Sequence, residues 1–209
     1  MKNMARQDKH HLILAKGAQA MTVRGYHGTG VQEIVQAAGV PKGSFYHYFA
    51  SKEDFALQAL DFIYGPRLAR YADALTTPSD PPITRIVRYY QELTQHLALR
   101  DTRAYHCFIG TLSFEMAELS KPIGSKVESI LERSVSLLQA CLEEAKTCGE
   151  LTADTDCQAL AEFIANAWEG ALMRMKVGAT TRPLDVFIDQ LHALLNSKNN
   201  LGGNHEHSI

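Results

Sequence analysis

The stretch that decides the fold runs Gly25-Tyr26-His27-Gly28-Thr29-Gly30-Val31-Gln32-Glu33-Ile34 and, after Val35-Gln36-Ala37, continues Ala38-Gly39-Val40-Pro41-Lys42-Gly43-Ser44-Phe45-Tyr46-His47-Tyr48-Phe49-Ala50-Ser51-Lys52-Glu53. Its apolar residues recur at helical rather than alternating spacing. A short helix is predicted over 31–38, and Gly39 closes it, because glycine meets no Cβ penalty in the left-handed conformation that ends helices. A second short helix is predicted over 42–49, with Pro41 tolerated at its start, where the first amides lack partners in any case. Two short helices about a tight glycine turn have the build of a helix-turn-helix. Ile34, Val35 and Ala38 are then inward positions, packing against Val40, Phe45 and Phe49.

What stays outward on the second helix is Lys42, Gly43, Ser44, Tyr46, His47 and Tyr48. Hydroxyls and ring donors of this kind bond phosphate oxygens and fix register on a duplex. A helix N-terminus in the major groove brings Lys42 and Ser44 to base edges, where lysine reaches guanine O6 and N7. Gly43 removes a side chain where backbone and DNA approach. Thr29 and Gln32, at the start of the preceding helix, are expected to reach the DNA backbone. Lys52, in the first turn of the next helix, is expected to meet phosphate together with that helix's free amides. The bland alternatives are a partly buried aromatic patch for Tyr46, His47 and Tyr48, and a solvated surface lysine for Lys42.

Charge points the same way. Residues 1–52 carry seven Lys/Arg against two acids, whereas the remainder holds 14 basic and 21 acidic side chains, for a net charge of −2 over the 209 residues. A basic head on an acidic body suggests that only the head meets a polyanion. The 45% apolar composition is that of a globular chain. No apolar run is long enough to span a membrane, and no secretory leader is visible at Met1-Lys2-Asn3-Met4, so a cytoplasmic location is expected. Cysteines 107, 141, 148 and 157 show no paired spacing, so neither a metal nor a cofactor is expected.

Outward from the motif, the chain reads as helical throughout, all-α, in nine helices. The first is expected over 8–24, carrying Ile13, Leu14, Gly17 and Met21 and ended by Gly25. Ser51 and Asp54 have the arrangement of a capping box for a long fourth helix, with Pro66 inside it. Thr76-Thr77-Pro78-Ser79-Asp80-Pro81-Pro82 is the clearest linker. A fifth helix follows, then a sixth over 102–119, a seventh from near Pro122 to Gly149, an eighth through Trp168, and a ninth after Pro183. The expected domains are a DNA-binding head over 1–52, a ligand-binding and dimerisation domain over 53–198, and a flexible tail over 199–209.

The ordered glycines, aromatics and Ser-Lys-Glu cap of this stretch resemble the DNA-binding head of the TetR family of transcriptional repressors, over about residues 8–60. The resemblance implies an all-helical two-domain homodimer of nine helices per subunit, joined through its last two helices. It implies a palindromic double-stranded operator and a small-molecule inducer bound by the C-terminal domain. Gly30 departs from the family, which more often has threonine there.

In the second domain Cys107 stands out, with His106 beside it and Thr111 and Phe114 on its face at helical spacing. A helix N-terminus lowers a thiol's pKa. The segment is similar to a subgroup of the family that senses electrophiles or oxidants through a cysteine; Lys176 occupies the place of a lysine that approaches the thiol in that subgroup. Phe163, Trp168, Leu172 and Met175 belong to plain core, a partner interface or a ligand cavity. A small buried hydrophobe remains the alternative for Cys107. A thiol enzyme using Cys107 and His106 is disfavoured, because neighbours on a helix point about 100° apart. A helical adaptor is the third reading.

Overall fold

The computed structural model describes residues 2–196, with side chains from Asp8 onward. Among them are nine α-helices and no strand: α1 (Lys2–Arg24), α2 (Val31–Ala38), α3 (Lys42–Tyr48), α4 (Lys52–Thr76), α5 (Pro82–Ala98), α6 (Phe108–Met116), α7 (Lys121–Thr147), α8 (Cys157–Gly178) and α9 (Arg182–Leu195). The all-α, nine-helix expectation holds. The tail expected over 199–209 lies outside the described residues.

Contacts gather the described residues into two compact units, 2–68 with 106–131, and 69–105 with 132–196. In the first unit, α1 lays Ile13, Leu14, Ala18 and Met21 against Ile34 and Val35 of α2 and Phe55 of α4. Gly17 makes that approach feasible: a Cβ there falls 2.5 Å from Ile34 Cγ2 and 2.7 Å from Phe55 Cζ. Local signals end the helices as the sequence suggests. Gly39 takes the left-handed conformation at φ 65°, its amide bonds Gln36 O, and the Val40 amide bonds Val35 O at 3.0 Å. Ser51 Oγ accepts the Asp54 amide at 3.0 Å; Asp54 reaches back to the Ala50 amide at 2.8 Å, one residue beyond the usual capping box.

Two expectations need correcting. α1 begins at Lys2, six residues before the expected start, because no breaker precedes Asp8. The sixth helix is not continuous over 102–119. Asp101 caps a separate 3-10 turn over Thr102–Ala104, the chain is extended at Tyr105, and α6 starts only at Phe108. Local capping by Asp101 and Cys107 outcompetes a single helix, so Cys107 becomes the N-cap of α6 rather than an interior residue.

In the second unit, Tyr90, Trp168 and Phe187 form a cluster with ring centroids 5.1–5.2 Å apart, and Tyr71 and Tyr90 share a hydroxyl contact of 3.3 Å. Arg85 is 2% exposed, with Nη2 2.6 Å from Glu144 Oε2; the distance is that of an ion pair, without the alignment of a hydrogen bond. Glu150 accepts the Ile83 amide at the start of α5. Nothing in the spacing of the sequence marks Arg85 as buried.

Replacing Gly17 with alanine is expected to destabilise the protein by about 1–3 kcal/mol through overpacking, although alanine is the better helix former. A lower urea midpoint checks this; an unchanged or higher midpoint contradicts it. Burial raises the hydroxyl pKa values of Tyr64, Tyr71 and Tyr90 above the ordinary tyrosine value. The unfolded chain therefore ionises first, so stability is intact below about pH 10 and is lost as pH rises above it. Urea midpoints that stay level through pH 11 are incompatible with that burial.

Candidate nucleic-acid interface and thiol site

The geometry of the α2–α3 pair follows from which of its rings are sealed. Phe45 and Phe49 are buried with Phe55, ring centroids 5.1–5.8 Å apart. With those two faces occupied, Lys42, Gly43 and His47 are left exposed, and Tyr46 is 58% exposed. Ser44 and Tyr48 are half-buried, Tyr48 packing against His47 at 4.9 Å and against His10 of α1 at 5.6 Å. Gln32 is exposed in the first turn of α2. Gly30, the N-cap of α2, offers no side-chain cap, so the first amides of that helix have no side-chain acceptor from their own cap.

Two residues differ from expectation. Thr29 is 0% exposed, and its hydroxyl has no partner among the described residues. The side chain is turned into the protein and does not reach a DNA backbone in this conformation. Lys52 is half-buried and partly committed: Nζ donates to Tyr26 O at 3.0 Å and sits 4.1 Å from the Tyr26 ring centroid. An ammonium has three donors, so two remain. Lys52 thus also fixes the loop that enters α2. His10 was missed by the sequence reading. It stacks on Phe49 at 5.1 Å and bonds Gln58 at 2.9 Å. Its spacing three residues before Ile13 was the available signal.

The thiol site is built at the start of α6. Cys107 is half-buried, in an extended N-cap conformation, and Sγ accepts the Gly110 amide at 3.4 Å. Tyr64 of α4 lies 4.0 Å from Sγ. The Tyr64 oxygen already accepts the Ile109 amide at 2.9 Å, which leaves its proton available to the sulfur. Burial, then the neighbouring Cys107, holds the Tyr64 hydroxyl well above its usual pKa, so it stays a donor. Thr111 donates to the Cys107 carbonyl at 2.9 Å. Phe114 is 90% exposed and does not share these surroundings, because α6 begins later than expected.

Trp168 and Leu172 are buried in the second unit, while Lys176 is half-buried there; Phe163 is exposed. Of the remaining cysteines, Cys141 and Cys157 are buried and Cys148 is exposed. Burial pushes the Cys141 thiol up to about 11, against the lowering influence of Arg85. Among the described residues no His/Cys/Asp/Glu cluster is arranged to hold a metal ion, and no helix is long and apolar enough to cross a membrane.

Comparison with known proteins gives this geometry its context. Residues 13–59 match the family model described as bacterial regulatory proteins, tetR family, and residues 82–191 match the model described as tetracyclin repressor-like, C-terminal domain. The chain is 35% identical over 199 residues to the HTH-type transcriptional repressor DhaR of Mycobacterium sp. strain GP1, covering 95% of this chain and 98% of that protein. It is 30% identical to the HTH-type transcriptional repressor NemR of Escherichia coli K12, covering 88% and 92%. The crystal structure of reduced Escherichia coli NemR superposes with a TM-score of 0.79 at 29% identity, covering 88% of this chain and 96% of that one. A regulatory protein TetR from Rhodobacter sphaeroides superposes with a TM-score of 0.78 at 35% identity, covering 87% and 96%. The chain belongs to the TetR family of bacterial, DNA-binding transcriptional regulators.

Proposed function

We propose that this protein is a homodimeric repressor that reads a palindromic operator through α3 and leaves it when a small molecule binds or when Cys107 is modified. The observation that carries the DNA reading is the sorting of α3. Phe45 within it and Phe49 at its C-cap are sealed, while a lysine, a glycine and ring donors stand in solvent within its seven residues. Residues 1–52 form the reading head and 53–198 the ligand-binding and dimerisation body. In the head, Lys42 and Ser44 address base edges. Gln32, Tyr46, His47, Tyr48 and Lys52 address phosphates, and Gly43 admits the backbone closely. Thr29 is left out of the contact set because it is buried.

Dimerisation through the last two helices is supported by apolar side chains left uncovered there: Phe163, Met173 and Val177 on α8, and Val186 and Leu194 on α9. Gly170 lies among them, and a Cβ at that position meets nothing within 4 Å. A repeated apolar face of this kind suits an isologous contact between copies.

The finer reading is a thiol sensor. The Gly110 amide and the Tyr64 hydroxyl both address Sγ, placing two hydrogen-bond donors against the sulfur at the start of α6. The likeness to NemR, a repressor solved in a form named as reduced, supports a redox role for the thiol. Thr111 orders the N-cap by bonding the Cys107 carbonyl. Phe114, Trp168, Leu172 and Lys176 are assigned to the body that senses the change, without direct contact to sulfur being required. An inducer acts only through its differential affinity for the bound and released conformations.

Titration of the protein against duplexes from the DNA upstream of its gene tests the reading. Lys42→Ala is expected to cost about 1–3 kcal/mol of sequence-selective binding, and Tyr46→Ala to weaken binding with the salt slope unchanged, because a neutral phenol releases no counterion. Binding unaffected by either substitution leaves α3 outside the interface. For the sensor, N-ethylmaleimide is expected to release DNA from wild type and from Cys148→Ser, but not from Cys107→Ser. An equal response in all three removes Cys107 from the mechanism.

A further inference from the structure

The Gly25–Gly30 loop carries the chain from α1 into α2, so its conformation sets where the first helix of the reading pair begins. One carboxylate from outside the head holds it. Glu115, in the last turn of α6, accepts the His27 amide through Oε2 at 3.0 Å. Its other oxygen, Oε1, lies where a Cβ on residue 25 would be. Gly25 is therefore required twice, by its φ of +82° and by the carboxylate packed against its Cα. The same end of α6 is tied to α4: Ser120 donates to Glu53, and Ser120 Oγ accepts the Ile123 amide. Glu53 adjoins Lys52, whose ammonium bonds the Tyr26 carbonyl in the same loop. The loop is thus gripped from both sides, by an anion at the His27 amide and a cation at the Tyr26 carbonyl.

From these contacts we infer that Glu115 is a positioning residue for operator binding: its carboxylate clamps the Gly25–Gly30 loop so that α2 and α3 meet the duplex already ordered. It rests on the DNA-binding reading given above and adds a residue that touches no DNA. A loop ordered before binding loses less conformational freedom on association. A bond from an amide to a carboxylate is also among the stronger kinds of hydrogen bond. The position has a second consequence. Glu115 and the Cys107 N-cap sit at opposite ends of one nine-residue helix, about 13 Å long, so a displacement of α6 at the thiol reaches the loop through this carboxylate.

The clamp and simple electrostatics predict opposite signs. Deleting a negative charge beside a polyanion site should tighten binding. Deleting the clamp should weaken it. Operator affinity of the full chain is measured for wild type, Glu115→Ala, Glu115→Gln and Gly25→Ala, with far-ultraviolet circular dichroism and thermal midpoints recorded on each. Glu115→Ala is expected to bind about tenfold more weakly at a temperature where it is fully folded, with an unchanged salt slope. Glu115→Gln keeps an acceptor for the His27 amide and is expected to recover affinity to within about threefold. Gly25→Ala, which displaces the carboxylate, is expected to resemble Glu115→Ala. Unchanged or tighter binding by folded Glu115→Ala overturns the proposal, as does failure of Glu115→Gln to recover. Wild type that binds none of the duplexes removes the DNA reading itself, a separate outcome.

Discussion

Helices of eight and seven residues do not hold together in water by themselves, because their nucleation is too costly for so few hydrogen bonds. The burial of Phe45 and Phe49 against Phe55 supplies what α2 and α3 lack. It anchors the middle and the C-terminal end of α3 to the scaffold of α1 and α4, and the close approach at Gly17 brings α2 onto the same core. Once those rings are inside, Lys42, Tyr46 and His47 of α3 are left outward, while Ser44 and Tyr48 are half-covered. A polar, hydroxyl-bearing surface is thus a consequence of packing rather than a separate feature.

The head was legible in the sequence because its signals are local. Gly25 and Gly39 mark positions of positive φ, Ser51 and Asp54 mark a cap, and the phenylalanines fall at helical spacing. The bounds of α2 and the inward set of Ile34, Val35, Ala38, Phe45 and Phe49 follow directly from those signals. Thr29 was misread because side-chain direction in an irregular loop has no period to betray it. The continuous sixth helix was misread because apolar spacing alone does not reveal an N-cap made by a cysteine. Arg85 was invisible for a different reason: its carboxylate partner, Glu144, lies 59 positions away in the chain and is half exposed. Glu115 falls in the same class, since its partner is the backbone amide of a residue 88 positions earlier.

The thiol site shows how a change of helix boundary alters chemistry. Inside a helix, Cys107 would share a face with Phe114 and have its own amide bonded within the helix. At the N-cap it faces the Gly110 amide and the Tyr64 hydroxyl instead. Those two donors are a product of fold, because Tyr64 arrives from α4, and the extended segment before α6 is what brings the sulfur to meet it. The basic head and acidic body fit the same division of labour. Positive charge is concentrated where a polyanion is to be met, and the rest of the chain carries the opposite sign.

Sedimentation of the full chain with a footprinted duplex tests the central claim most directly, because it asks whether two such polar helices act as a pair. The account predicts at least two chains per duplex, always an even number, with symmetric protection of two major-groove segments separated by about one helical turn, ~34–36 Å, or a multiple of it. A single chain on the duplex, or protection without two-fold symmetry, would contradict it.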